Sequence, residues 1–195
     1  MSSEGSDRFG VASMSSRLER VAVRKPSAIL RADPTEWHYR KAVDAKRLLD
    51  QFSSFIALLD CSGVEILWFD DEPDELADSI FAYDPSFMTP HGAIILRPGK
   101  VKRREEVEVH RRFYEALGIP IVGENTGQGT GEGGVCLWLA SSTLAVGRGF
   151  RSNENGIHQM KDLLSDLDID VVQFDLPPQD DADACLHLMS VISPL

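Results

Sequence analysis

The strongest constraint on this chain is a repeat of about fifty residues, because self-similarity at a fixed period limits the fold to associated copies of one small unit. Ile94-Ile-Leu-Arg-Pro-Gly99 is a short apolar run closed by turn residues; a helical stretch follows, and then Leu117-Gly-Ile-Pro-Ile-Val122. The same order recurs with Leu144-Ala-Val-Gly147, a helix over Glu154 to Leu167, and Leu167-Asp-Ile-Asp-Val-Val172. Leu117, Ile119 and Val122 thereby correspond to Leu167, Ile169 and Val172. A weaker copy stands upstream, with Val21-Ala-Val-Arg-Lys-Pro26 as its strand and Gly63-Val-Glu-Ile66 aligned with Gly118-Ile-Pro-Ile121.

Spacing identifies the helices. Ile157, Met160, Leu164 and Leu167 fall at i, i+3, i+7 and i+10, on one face. Val107, Tyr114 and Leu117 make a similar stripe, which leaves Arg103, Arg104, Glu105 and Glu108 for the solvent side. A further strand is expected ahead of each unit, at Ile80-Phe-Ala-Tyr83, at Val135-Cys-Leu-Trp-Leu139 and at Leu186-His-Leu-Met-Ser-Val-Ile192. The unit is therefore β-β-α-β in an α/β chain. Such a unit cannot cover both faces of its own strands, so several must share a centre. The 195 residues hold three units and the first strand of a fourth, with residues 1–16 as a flexible tail and 17–195 as the folded domain.

Thirty-one acidic against twenty basic residues give a net charge of −11. That charge repels nucleic acid and anionic lipid and mildly attracts cationic small molecules. No run approaches the roughly 18 apolar residues of a membrane helix. Cys61, Cys136 and Cys185 form no C-x-x-C pair, and an odd count does not suit a disulfide framework. A cytoplasmic protein is the expectation.

Candidate chemistry lies where the units begin. Asp78 and Asp84 flank one first strand, Glu132-Gly-Gly opens the next, and His187 lies in the one after. Asp84 to Glu132 is 48 residues and Glu132 to His187 is 55. Equivalent positions of units around an axis converge on it, which would bring two acids and a histidine together. The same residues read equally as a plain Asp84-Pro85 turn, a solvated loop glutamate and a core histidine.

Taken in order, Asp78-Ser-Ile-Phe-Ala-Tyr-Asp84, Leu96-Arg-Pro-Gly99, Glu132-Gly-Gly134, Arg151-Ser-Asn-Glu-Asn-Gly156 and Leu186-His-Leu188 resemble the motif series of the dimethylarginine dimethylaminohydrolase, arginine deiminase and amidinotransferase superfamily. The resemblance runs from about Arg17 to Leu195. It implies a pentein fold, an α/β-propeller of five β-β-α-β modules, with about three and a half present here. It also implies a chemistry: a cysteine thiolate attacks the guanidinium carbon of a dimethylarginine- or arginine-like substrate, a histidine protonates the departing nitrogen, and water releases a ureido product such as citrulline from a covalent thiouronium. An amidinotransferase, with an amine in place of water, or a silent guanidine-binding domain are the alternatives.

By this resemblance Asp84 and Glu132 pair with the guanidinium, and such charge-assisted bonds are worth roughly 1.5–3 kcal/mol each. His187 serves as acid and then base, a task suited to imidazole. Asp78 supports from behind, and Arg97 and Arg151 hold the substrate carboxylate. Val135 and Met189 stand where the family often has charged residues, which leaves the substrate open. The family's nucleophile lies in a fifth module near the C-terminus, so none is identified here. Cys185, sharing a strand face with His187, is a poor substitute, and Cys61 and Cys136 read as buried structural cysteines.

The stretch containing Gly127, Gly129, Gly131, Gly133 and Gly134 precedes a strand rather than a helix N-terminus, so it lacks the anion site of a phosphate loop. It reads as a mobile cover over substrate. No histidine or cysteine spacing suits a metal, and no cofactor is implied. The expected partner is a small guanidino compound, with a homo-oligomer possible if unit edges stay uncovered.

Overall fold

The structure, a computed structural model, describes residues 9–69, 75–178 and 186–194. The chain divides into two compact units, one of residues 17–82 and one of residues 1–16 with 83–195.

In the smaller unit β1 (Arg20–Val23) and β2 (Glu65–Trp68) pair in parallel and are joined through the helix α1 (Ala45–Cys61). Asp44 caps α1, its carboxylate accepting from the Arg47 N–H at 3.0 Å. Val23, Leu59 and Val64 form the buried core, with Val21, Ile56 and Ile66 against it.

The larger unit holds two sheets of one design. β3 (Ser86–Thr89) runs antiparallel to β4 (Gly92–Ile95), and β4 runs parallel to β5 (Ile121–Glu124) across α2 (Glu106–Ala116). β6 (Cys136–Ala140), β7 (Thr143–Arg148), α3 (Glu154–Ser165) and β8 (Asp170–Asp175) repeat the pattern. Alternation along β4 splits its side chains between two cores: Ala93 and Ile95 meet Tyr114 of α2, whereas Ile94 and Leu96 join Trp138, Leu144 and Met160. Phe87 stacks on Trp138 with ring centroids 5.6 Å apart. Met14 also packs against this second core.

The repeat is written in the backbone as well. Among the described residues, all three α-helices are followed within three residues by a left-handed one, Gly63 at φ 71°, Gly118 at 67° and Asp168 at 57°. In each, the next N–H bonds back to the last helical turn: Val64 to the Leu59 carbonyl, Ile119 to Tyr114 and Ile169 to Leu164. These are Schellman closures, which satisfy orphan carbonyls and turn the chain into the returning strand.

Two expected strands are not strands. Ile80–Tyr83 is preceded by a 3-10 turn over Ala77–Ile80, and pairing begins only at Ser86, past Pro85, whose ring leaves no N–H for a ladder. Within Leu186–Ile192 the chain forms a 3-10 turn at Leu188–Ser190, with the Ser190 N–H bonded to the His187 carbonyl at 2.9 Å. Apolar composition alone does not supply a neighbour to pair with. No helix among the described residues is long and apolar enough to cross a membrane.

Candidate active site

Glu132 and His187 occupy matching places in the backbone. Each is extended, at φ −133°, ψ 148° and φ −104°, ψ 154°, and each leads directly into a 3-10 turn. With Asp84 they offer three ligating atoms within 4.8 Å of one another.

His187 Nε2 lies 2.8 Å from Glu132 Oε2 and 3.9 Å from Asp84 Oδ1. Glu132 is fully buried. Its other oxygen accepts from the Gly99 N–H at 3.1 Å and faces Arg151 Nη1 at 3.4 Å. Burial raises the Glu132 carboxyl, but the bond to His187 and the positive charges of Arg151 and Arg103 outweigh it, so the group sits below the usual carboxylate range. Asp84 accepts from the Gly134 N–H through Oδ1 at 3.0 Å and from Arg103 Nη1 through Oδ2 at 2.5 Å.

A depressed carboxyl makes the folded chain release its proton more readily than the unfolded chain, so stability is present above the unfolded value and lost as pH falls through the folded one. Thermal melts of the wild type are expected to hold level from pH 7 to about pH 5 and to fall below about pH 4. Glu132→Gln is expected to start lower and show a shallower acid limb. An unchanged limb in the variant would place the acid sensitivity elsewhere.

The glycine pair after Glu132 has a steric cause. A Cβ on Gly134 would stand 2.6 Å from His187 Nδ1 and 3.1 Å from Asp84 Oδ1, and one on Gly133 would run into the Tyr83 carbonyl oxygen. Only hydrogen at these two positions lets the Asp84 turn and the His187 ring close on Glu132.

Arg103 was assigned to solvent by helical projection, yet it is 4% exposed. It belongs to the 3-10 turn Val101–Arg103 ahead of α2, where that projection does not apply. Its guanidinium bridges Asp84 and Glu106, reaching Glu106 through Nε at 3.0 Å and Nη2 at 2.8 Å. Burial lowers the Arg103 guanidinium, but the Glu106 and Asp84 contacts outweigh it and hold the charge firmly in place. The i, i+3 spacing of Arg103 and Glu106 was the available signal for this pair.

Asp78 is buried in the smaller unit, where it accepts the Tyr39 hydroxyl at 2.6 Å. Arg151 is buried, and among the described residues its Nε has no hydrogen-bond partner. Among the described residues no hydrogen bond links the Arg97 side chain to Asp84, Glu132 or His187; its charge, after burial, lowers the guanidinium of Arg104. The Arg97 carbonyl accepts the Gly131 N–H at 2.9 Å.

The glycine-rich segment is held by side-chain hydrogen bonds in this conformation. Gln159 Oε1 accepts from the Thr126 N–H at 2.9 Å while its amide donates to the Thr126 carbonyl, and Asn153 holds Thr130 and the Gln128 carbonyl. Cys61 is exposed, not buried, because it closes α1 on its outer face. Cys136 is buried, and burial followed by the Asp84 charge pushes its thiol well above the ordinary range, so it stays protonated. Cys185 lies outside the described residues. Two carboxylates and an imidazole suit a divalent cation in kind, but the arginines already set against both carboxylates oppose a second concentrated positive charge there.

No family model matches the chain. It is 30% identical over 179 residues to the dimethylarginine dimethylaminohydrolase of Streptomyces coelicolor, an alignment covering 91% of this chain and 65% of that one. The chain thus spans less than two thirds of the length of that curated relative. Among solved structures, a cysteine-to-serine mutant of the Pseudomonas aeruginosa dimethylarginine dimethylaminohydrolase complexed with citrulline superposes with a TM-score of 0.73 at 24% identity, over 88% of this chain and 64% of that one. An amidinotransferase of the saxitoxin biosynthetic pathway from Microseira wollei gives 0.72 at 13% identity, over 96% and 67%.

Proposed function

We propose, for a chain that belongs to the superfamily of dimethylarginine dimethylaminohydrolases and amidinotransferases, that the cluster of Asp84, Glu132 and His187 receives the guanidinium of an arginine-like compound and serves its hydrolysis to a ureido product. The observation that carries this reading is the convergence of two buried carboxylates and one imidazole within 4.8 Å. A planar cation fits such a site because carboxylates accept its N–H groups in pairs and keep its charge at the carbon under attack.

Asp84 retains unused lone pairs on both oxygens, since each accepts only one donor in the contacts above. Glu132, with three internal donors, acts chiefly on His187: it fixes the ring through Nε2 and stabilises its protonated form, so that the imidazolium can deliver a proton to the leaving nitrogen and the neutral ring can later take one from water. Arg151, whose buried Nε has no partner among the described residues, is suited to the substrate carboxylate. The covalent step needs a thiolate, and the buried, protonated Cys136 does not provide it. The sheets β3–β4–β5 and β6–β7–β8 are read as blades of a pentein propeller, of which the chain supplies about three and a half.

Calorimetry with arginine, dimethylarginine and neutral citrulline tests the reading. The two cations are expected to bind, and Asp84→Asn is expected to weaken them at least about tenfold, as loss of a charge-assisted pair implies. Equal affinity in the variant, or no binding by either cation to the wild type, overturns the assignment. Ureido product in the same samples indicates the hydrolase, and amidine transfer to an added amine indicates the transferase.

A further inference from the structure

Glu106 is 1% exposed, carries a formal charge, and touches neither Glu132 nor His187 in the contacts described. A buried carboxylate is costly unless paired, and here the pair is Arg103, which grips it through Nε and Nη2 and spends Nη1 on Asp84. The three groups form one buried line of charge, minus, plus, minus, with 4% exposure at its middle member and 6% at Asp84. A lone Arg103 would neutralise Asp84 and leave it nothing with which to attract a cation. The second carboxylate offsets the Arg103 charge, so Asp84 keeps its pull on a cation while Arg103 still fixes it in place.

We infer that Arg103 and Glu106 are a positioning and charge-setting pair for Asp84, in which Arg103 holds the Asp84 carboxylate against the Gly134 N–H and Glu106 keeps that carboxylate electrostatically available to a guanidinium. Neither residue touches the ligand. Glu106 acts through Arg103, and Arg103 acts through Asp84. The pair makes the site selective for charge as well as shape: a cationic guanidinium gains from the Glu106 charge relayed past Arg103, whereas a neutral ureido group of the same outline does not. Discrimination of substrate from product follows, since citrulline leaves a site that no longer holds it electrostatically.

The charge-selectivity part rests on the guanidinium-binding reading above; the positioning part does not. Glu106→Gln keeps the size and hydrogen-bonding edge of the side chain and removes its charge. In the full chain it is expected to weaken arginine binding roughly tenfold and to leave citrulline binding within about twofold of the wild type. Loss of both ligands to the same degree would mean a merely structural role and overturn the inference, as would no change in either. If the wild type binds neither arginine nor citrulline, the functional reading has failed instead, and the charge-selectivity claim falls with it. The positioning claim is then decided without ligand by the Gly134 amide, which donates to Asp84 Oδ1 at 3.0 Å. Its NMR resonance and hydrogen-exchange protection are expected to stay near wild type in Glu106→Gln and to be lost in Arg103→Met. A Gly134 amide that does not change in Arg103→Met shows that Asp84 needs no holding and overturns the inference outright.

Discussion

Arg103→Met is expected to destabilise the chain by about 3–5 kcal/mol, because removing one member of a buried ion set leaves its partners charged and uncompensated. Methionine nearly matches the stem of arginine, so lost packing is a minor part of the effect. What disappears is the cation between Asp84 and Glu106, whose side chains are 9% and 1% exposed and have little water to turn to. The loss is expected to depend on pH in a definite sense. At neutral pH the two carboxylates lose the cation that lies between them, and at acidic pH a proton taken up by the pair stands in for the missing guanidinium. The stability gap between variant and wild type, read from denaturant melts, should therefore narrow between pH 7 and pH 5. The double variant Arg103→Met, Glu106→Gln should recover part of the loss at pH 7. A gap under about 1 kcal/mol at pH 7, the range of an exposed pair, would return Arg103 to the solvent side where helical projection put it.

That projection shows what a sequence reveals here and what it does not. The repeat was legible because each unit closes its helix with the same backbone device, and the device leaves a trace: Gly63 and Gly118 mark it directly, and Asp168 is an acceptable left-handed substitute. The α3 face was legible because Ile157, Met160 and Leu164 are all buried at helical spacing. Arg103 was not, since a 3-10 turn ahead of a helix follows a different period and no pattern rule gives its direction. The strand expected at Ile80–Tyr83 failed for a related reason: apolar composition does not supply a partner strand, and Phe81 and Tyr83 are left 55% and 44% exposed.

The site residues fall on the same divide. Recurrence at the starts of the units pointed to Asp84, Glu132 and His187, because equivalent positions in repeated units end near one another. Their division of labour was not visible. That Glu132 is occupied by His187, Arg151 and the Gly99 amide depends on contacts across 55, 19 and 33 residues of chain, and nothing local to Glu132 announces them. The Glu132-Gly-Gly motif could be read as a pattern, but the reason for its glycines emerges only when Tyr83, Asp84 and His187 are brought against them.

Those two glycines support the second large prediction, because a methyl group at each meets a different kind of obstacle. At Gly133 the obstacle is the Tyr83 carbonyl, part of the backbone, with the carbonyl carbon 2.9 Å from the added carbon. A backbone neighbour cannot swing aside, so either the Asp84 turn or the Gly133–Val135 turn must move, and the bond from the Gly133 N–H to the Asp84 carbonyl goes with it. Gly133→Ala is therefore expected to cost about 3 kcal/mol, the upper end for overpacking. At Gly134 the obstacle is the His187 ring, with Nδ1 at 2.6 Å and Cγ at 2.7 Å. A side chain on a short turn can yield, and Gly134 has no backbone angle that forbids alanine, so Gly134→Ala should cost only about 1 kcal/mol of stability. Its effect falls on the site: the ring that yields leaves the 2.8 Å bond to Glu132, and a near-normal fold is left without its acid. Melting midpoints of the two variants, set beside NMR spectra of the His187 ring nitrogens, separate the cases. Gly133→Ala should melt far below the wild type, and Gly134→Ala should melt close to it while the His187 signals lose the signature of a hydrogen-bonded Nε2. Equal destabilisation by the two alanines, or a His187 spectrum unchanged in Gly134→Ala, would mean that the ring does not rest against Gly134 and that the glycine pair serves the turn alone.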